Sequence, residues 1–216
     1  MKNIASYKIK VFIEFVTVLV AFILGLVTYE FIPDMVASHW NIYGMANGYM
    51  PKPWGVFLLP IIMAGIFVLM QTVPLLDARK MFREQLGRRF HRFVVLLFLF
   101  FLYLYTLILA WNLGVQFNFS LYLLPAFSVL FYAIGNLIEH VEPNMFIGVR
   151  TPWTLSHPVV WEKVHSLGGR LFKDCAVIAM FGLLFPPLAF VFAIIPVVAV
   201  GLFLIVYSYV EWRRLA

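Results

Sequence analysis

The sequence predicts an all-α, polytopic integral membrane protein, and three features of the chain lead to that fold class. Of its 216 residues, 63% are hydrophobic and only 12% are charged, whereas an average soluble domain carries roughly 25% charged residues. The apolar residues form long runs that match the ~20 residues a helix needs to cross a bilayer. The basic residues concentrate in alternate loops. The surplus of apolar side chains must therefore face lipid.

Six apolar runs predict six transmembrane helices. They cover residues 11–32, 54–76, 93–113, 121–138, 171–185 and 188–210. The fifth run is short and must recruit residues from Gly168 onward. Pro186 and Pro187 are expected to form a tight turn after it, because neither proline supplies a backbone donor. Pro196 is expected to kink the sixth helix.

The basic residues predict the orientation of the chain. With the N-terminus inside, only Lys52 of the 16 Lys and Arg residues falls in an outer segment, which leaves 15 inside. Such an excess is the positive-inside signal, so both termini are expected in the cytoplasm. The net charge of +6 then reflects orientation and contact with membrane lipids, without any direct nucleic-acid partner.

Two loops differ sharply in character. The outer loop, residues 33–53, is rich in turn-forming Pro, Asn and Gly and holds Trp40, Tyr43 and Tyr49, so it is expected to be an ordered lid with interfacial aromatic rings. The inner loop, residues 77–92, is basic with a helical pattern. It is interpreted as a solvated topogenic loop, with a docking surface for a cytoplasmic partner as the alternative.

A second inner loop carries the sequence FIGVRTPWTL at residues 146–155, a polar and aromatic turn between apolar runs. The residues after it predict a short interfacial helix, capped by Ser156 or His157 with Pro158 in its first turn. Gly168-Gly169 is expected to end that helix. His157, Trp161 and His165 then fall at i, i+4 and i+8 on one face.

The side chains of Arg150, Trp153 and Trp161 each allow two interpretations. The Arg150 guanidinium could clamp a carboxylate, a lipid phosphate or backbone carbonyls, or it could tie the Thr-Pro-Trp turn structurally. Trp153 and Trp161 are expected to be interfacial anchors, with ligand stacking as the alternative.

The remaining titratable groups allow similar alternatives. His165 is expected either to donate to Glu162 or Glu142 and titrate near neutrality, or to be a structural histidine packed on Trp161. Glu14 in the first span is expected to pair with Lys10 at i, i+4. Intramembrane acids are functional candidates, which adds Glu30, near Asp34 and His39.

A metal-dependent membrane hydrolase is the main alternative functional class. Glu139, His140, Glu142 and His165 have side chains that zinc accepts. However, the sequence contains no H-E-x-x-H, G-x-S-x-G or phosphate-binding loop, and its single cysteine, Cys175, forms no internal disulfide. A transporter ranks lower, because Gln71, Asn112, Gln116 and Asn136 are few and lie near span ends. No enzymatic activity and no cofactor are expected.

A family resemblance adds to this interpretation. It rests on Gly135-Asn136, Pro143-Asn144, the residues 146–155, Trp161, His165, Gly168-Gly169 and Tyr207-Ser208-Tyr209. Together they resemble the SdpI family of membrane proteins that give immunity to the sporulation-delaying-protein toxin. In the outer loop, Pro33, His39-Trp40-Asn41, Gly44, Gly48-Tyr49 and Lys52 resemble a small membrane module of unknown function often found before that domain.

The resemblance implies a cell-membrane immunity protein whose partners are a peptide toxin and a cytoplasmic repressor. Two segments are expected, a two-helix module at 1–92 and a four-helix domain at 93–216. The candidate binding residues on the inner side are Asn136, Asn144, Arg150, Thr151, Pro152, Trp153, Thr154, Trp161 and His165. Those on the outer side are Glu30, His39, Asn41 and Lys52.

Overall fold

A computed structural model of the chain describes residues 2–76, 87–144 and 147–215, and most of them are helical. The helices are α1 (Lys2–Thr28), α2 (Lys52–Leu76), α3 (Gly87–Asn112), α4 (Phe119–Ile138), α5 (Pro152–Ser156), α6 (Pro158–Phe181) and α7 (Ala189–Leu215). Two strands, β1 (Met35–Trp40) and β2 (Ala46–Pro51), lie between α1 and α2. The predicted basic loop falls largely outside the described residues, and α3 already begins at Gly87.

Five helical segments of the described chain are long and apolar enough to cross a membrane. They are Lys8–Phe31, Lys52–Thr72, Phe90–Asn112, Phe119–Ile138 and Pro186–Leu215, and they coincide with five of the six predicted spans. The predicted fifth span, residues 171–185, lies mainly in the second half of α6. The first half of α6 carries Glu162 and Lys163, and the second half carries Arg170, Lys173 and Asp174.

The described residues divide into two compact units. The first is drawn from residues 1–80 and 91–123, and the second from residues 81–90 and 124–216. The first unit therefore contains α1, α2, most of α3 and the two strands. The second contains most of α4, together with α5, α6 and α7.

In the first unit the predicted ordered lid is an antiparallel β hairpin, a local departure from the all-α class. The turn between its strands is built by Asn41, whose Oδ1 accepts the N–H groups of Tyr43 and Met45 at 3.0 and 3.1 Å. Gly44 follows with φ +74°, a left-handed conformation that glycine adopts without steric cost. Side-chain-to-backbone bonds of this kind are the reason that Asn and Gly favour turns.

The hairpin is held to the helices of its own unit by side chains near the helix ends. The Asn112 side chain at the end of α3 accepts the Ala37 N–H at 2.8 Å and donates to the Ala37 carbonyl at 3.1 Å. The Trp40 ring stacks on Phe119 with centroids 3.8 Å apart. Val36 lies so close to Gly55 that a Cβ there would collide with it.

Glu14 is buried inside the first unit, where only 2% of its surface is exposed. Its carboxylate accepts a hydrogen bond from Gln71 Nε2 of α2 at 3.3 Å. The predicted pairing with Lys10 within α1 therefore accounts for only part of the surroundings of the Glu14 carboxylate. Burial of an acid requires hydrogen-bonding partners, and Gln71, 57 positions away, supplies one.

In the second unit α6 packs against α4 and α7 through glycines. The prediction that Gly168-Gly169 ends the helix is wrong, since α6 runs on to Phe181. A Cβ at Gly169 would meet the Gly135 carbonyl oxygen at 2.8 Å, and one at Gly168 would meet Leu204 Cδ1 at 3.0 Å. The two glycines serve close helix approach instead of a left-handed helix end.

The connection between α6 and α7 agrees with the predicted turn. It consists of the 3₁₀ turns Gly182–Leu184 and Pro186–Leu188 with Phe185 between them. The Leu188 N–H donates to the Phe185 carbonyl at 2.8 Å. Pro196 lies inside α7, and the kink expected there stays a prediction.

Candidate functional site

The inner loop between α4 and α5 folds around the side chain of Asn144, which is only 4% exposed. Its Oδ1 accepts the Ile147 N–H at 2.8 Å, and its Nδ2 donates to the Glu142 carbonyl at 2.8 Å. A buried amide that satisfies backbone groups on both sides fixes the path of a loop. Asn144, predicted as a binding residue, is therefore placed as an organiser of the loop.

The Thr-Pro-Trp-Thr sequence is a helix cap. Thr151 is the N-cap of α5, and its hydroxyl accepts the Thr154 N–H at 3.2 Å, while Thr154 Oγ1 accepts the Thr151 N–H at 3.0 Å. Pro152 occupies the first helical turn, where its missing N–H costs nothing. This reciprocal capping box explains the spacing of the two threonines.

The cap is also tied to its surroundings in the second unit. Thr154 Oγ1 lies 2.7 Å from the Val149 carbonyl, to which it donates. The hydroxyls of Thr151 and Ser208 lie 3.0 Å apart, which joins the cap to α7. Thr151, Thr154 and Ser208 are all buried, so these hydrogen bonds are shielded from water.

His165 occupies the centre of this arrangement, with 1% of its surface exposed. Its Nδ1 lies 2.8 Å from the Trp161 carbonyl, and its Nε2 lies 3.0 Å from the Val149 N–H. Because a backbone N–H only donates and a carbonyl only accepts, the imidazole must be neutral with its proton on Nδ1. Burial lowers the pKa of His165 and favours the same form.

Gly148 and Trp161 both lie directly against the ring of His165. Gly148 adopts φ +113° and lies directly against the imidazole, where a Cβ would come within 2.9 Å of His165 Cδ2. Trp161 stacks on the ring with centroids 3.9 Å apart, and its indole N–H donates to the Val141 carbonyl at 2.9 Å. The predicted stripe of Trp161 and His165 is thus a buried stack that holds the loop.

Two expectations about these side chains are corrected. The expected carboxylate partner of His165, either Glu162 or Glu142, is wrong, since backbone groups occupy both ring nitrogens. Trp161 is not an interfacial anchor, since it is only 2% exposed. Trp153 is partly exposed and meets Tyr209 edge-on, with centroids 5.1 Å apart.

Three predicted inner residues face outward. Asn136, Arg150 and Pro152 have exposed side chains. Arg150 is exposed and immediately precedes the buried cap residue Thr151. Whether it binds a carboxylate or phosphate stays a prediction.

Three of the four residues of the alternative metal site have other partners, and the fourth is exposed. Glu139 forms an ion pair with Lys173, which lowers the pKa of the carboxyl, and His140 Nδ1 lies 3.2 Å from the Asn136 carbonyl. His165 is fully hydrogen-bonded, and Glu142 is exposed. Within the described residues, no three His, Cys, Asp or Glu side chains are placed to share a metal ion.

An ion-pair cluster at the end of α7 was not indicated by the sequence reasoning. The Glu211 carboxylate, whose side chain is 3% exposed, accepts from Lys163 of α6 at 2.7 Å and from Arg214 at 2.8 Å. The i, i+3 spacing of Glu211 and Arg214 was a usable signal. No local spacing in the sequence indicated the bond to Lys163, which lies 48 positions away.

The outer candidate residues belong to the first unit and build the hairpin. His39 Nδ1 lies 2.6 Å from Asn47 Oδ1, and Glu30 is exposed. The Lys52 ammonium lies 4.8 Å from the centroid of the Tyr29 ring, a cation–π contact. Asn41 shapes the turn, as described above.

Comparison with known proteins agrees with the predicted resemblance. Five long apolar helices define a multi-pass cell membrane protein. Within it, residues 140–208 match the SdpI/YfhL protein family, and residues 16–64 match DUF1648, a domain of unknown function.

A named relative extends the resemblance over most of the chain. The chain is 24% identical over 166 residues to the immunity protein SdpI of Bacillus subtilis (strain 168), which covers 77% of each protein. No solved structure matches. The predicted family resemblance is confirmed, and the matched residues 140–208 contain the capping box, the Trp161–His165 stack and Ser208.

Replacing Gly148 by alanine is expected to destabilise the second unit by about 1–3 kcal/mol, because the new Cβ meets the His165 ring and φ is positive. Gly201→Ala in α7 is the matched control, since nothing lies within 4 Å of a Cβ there. In a helix that change is neutral or stabilising by up to ~1 kcal/mol. Thermal unfolding in detergent measures both, and equal unfolding temperatures would contradict the packing described for Gly148.

The stability of the folded chain is expected to fall as the pH drops through about 6.5, the ordinary pKa of histidine. Below that pH the unfolded chain binds a proton at His165, whereas the folded chain, in which burial lowers this pKa, does not. Unfolding temperatures measured at about pH 7.5 and about pH 5.5 test this linkage. His165→Gln should reduce the dependence, and an unchanged dependence in this variant would contradict the linkage.

Proposed function

We propose that this chain is a membrane immunity protein that protects its cell against a membrane-active peptide toxin. The observation that carries the proposal is the similarity to the immunity protein SdpI over 77% of both chains. The buried capping box and histidine stack fall inside the SdpI/YfhL match and give that segment one defined shape. Such an organised loop supports recognition by a partner better than catalysis, because its polar groups are already hydrogen-bonded.

The outer hairpin is the part that meets the peptide in this proposal. It carries exposed Tyr43, Met45 and Tyr49 side chains, each more than half exposed, on a scaffold fixed by Asn112 and Trp40. A preorganised surface with exposed aromatic and apolar groups binds a peptide with little entropic cost of ordering. Glu30, His39, Asn41 and Lys52 belong to this proposed surface or shape it.

The inner motif holds the conformation that a cytoplasmic repressor reads. Arg150 is its exposed cation, placed beside the buried cap at Thr151. A guanidinium on a rigid loop suits bidentate recognition of a carboxylate. Asn136, Pro152 and Trp153 are the other surface members of this proposed contact. The protein acts by binding and not as an enzyme.

The proposal includes a topology of six spans with both termini in the cytoplasm. The second half of α6 is the fifth of these six spans in chain order, and the 15 inner basic residues support the orientation. The hairpin is then outside and the motif at 146–155 inside. In this proposal the chain consists of a two-helix module at 1–92 and a four-helix domain at 93–216.

The topology predicts opposite accessibility of two exposed positions. Cys175 is replaced by serine, and a single cysteine is placed at Tyr43→Cys or Glu142→Cys. A membrane-impermeant maleimide should label position 43 in intact cells and position 142 only after permeabilisation. Labelling of both positions in intact cells, or the reverse pattern, would show that the proposed orientation is wrong.

The function predicts survival of a toxin-sensitive bacterium that expresses this chain and is challenged with the peptide toxin. Arg150→Ala is expected to reduce protection, because it removes the exposed cation of the inner motif. Arg170→Ala is the matched control, since Arg170 is also exposed but lies outside the motif. Membrane abundance must be equal in all three strains. No protection by the native chain would contradict the immunity proposal. Equal protection by the native chain and by Arg150→Ala would show that Arg150 is not needed for protection.

A further inference from the structure

The end of α7 carries a surface that combines aromatic rings with exposed cations, all within the second unit. We call it the basic aromatic surface. It consists of Trp153 on α5, Lys163 on α6, and Tyr209, Trp212, Arg213 and Arg214 on α7. Trp153 also belongs to the contact proposed above, whereas neither the family matches nor the proposed function assigns a role to the other five residues.

The aromatic residues of this surface are in direct contact with each other. The Trp153 and Tyr209 ring centroids lie 5.1 Å apart in an edge-on arrangement, and those of Tyr209 and Trp212 lie 6.3 Å apart. The Tyr209 side chain is 43% exposed, so this row of rings is open on one side. Trp and Tyr in such positions favour the boundary between hydrocarbon and headgroups.

Two of the cations are held in place by one buried acid. Glu211 accepts from both Lys163 and Arg214, yet the Lys163 side chain stays 48% exposed and that of Arg214 69% exposed. One carboxylate between two cations leaves a net positive charge, and the exposed Arg213 adds another. Lysine has three donors and arginine five, so donors remain for an anionic group.

The length of the last helical span places this surface at the level of lipid headgroups. The span Pro186–Leu215 contains 30 residues, about 45 Å at 1.5 Å per residue, whereas the hydrocarbon core is about 30 Å thick. Residues 189–210 are uncharged and fill the core. Glu211 and the residues after it therefore emerge where phosphate groups lie.

We propose that the basic aromatic surface binds the headgroup of an anionic phospholipid. The phosphodiester lies between the guanidinium of Arg213 and the cations held by Glu211, and the first acyl carbons lie against the aromatic row. Guanidinium groups recognise phosphate oxygens bidentately. The net positive charge supplies the complementarity that selects an anionic over a zwitterionic headgroup.

Native mass spectrometry of the full purified chain in detergent tests the proposal with two lipids, phosphatidylglycerol and phosphatidylcholine. The native chain should retain phosphatidylglycerol several-fold more strongly, and millimolar inorganic phosphate should not displace it. Arg213→Gln should weaken retention about fivefold, the effect of one surface cation. Because Arg213 is exposed and is not one of the two cations that pair with Glu211, this variant keeps the ion pairs that join α6 to α7.

Two controls separate lipid recognition from a purely structural role. Lys8→Gln removes one exposed positive charge from the other unit and should leave the preference unchanged. Arg214→Gln should weaken retention as Arg213→Gln does, and circular dichroism confirms that each variant is folded. Equal retention of the two lipids by the native chain would overturn the proposal. An unchanged preference in folded Arg213→Gln, or displacement by free phosphate, would do the same.

Discussion

The neutral imidazole of His165 is the contact on which the inner motif depends. It donates to its own helix at the Trp161 carbonyl and accepts from the loop at Val149, so one ring joins two backbone segments. The Val149 carbonyl in turn accepts from Thr154, and the cap reaches α7 through Ser208. The loop, the short helix α5 and the end of α7 are therefore connected by a continuous series of hydrogen bonds.

This arrangement accounts for the types of residue in the motif. Gly148 is small because a ring lies against it, Thr151 and Thr154 cap each other, and Pro152 stands where no backbone donor is needed. Arg150 and Pro152 are exposed on either side of the buried cap residue Thr151. In the proposed function the Arg150 guanidinium is the group that contacts a partner.

The sequence predicted the membrane class and five of the spans because span length and apolar composition are local properties. It did not predict the outer hairpin, whose pairing depends on contacts such as that between Ala37 and Asn112, 75 positions apart. The glycines at 168 and 169 were misread for the same reason. Their meaning is set by Gly135 and Leu204 on other helices, and a local glycine rule cannot detect that.

The candidate site was predictable to a similar extent. The Thr-Pro-Trp-Thr spacing and the i, i+4 relation of Trp161 and His165 are local, and the alternative of a structural histidine packed on Trp161 is confirmed. The partners of these residues, Val141, Ser208 and Val149, come from distant or irregular segments. The pattern therefore indicated which residues matter, while the identity of their partners required the fold.

Asn112 has a consequence for the two edges of the outer hairpin. Its amide occupies the N–H and carbonyl of Ala37, so the outer edge of β1 is closed to another strand at that point. Ala37 is paired with Tyr49, and in an antiparallel ladder paired residues direct their backbone groups alike, toward or away from each other. Tyr49 therefore points its own N–H and carbonyl away from β1, beside Pro51, which has no donor. At this pair the sheet is therefore closed on the β1 side, and the unpaired backbone groups of Tyr49 face the β2 side.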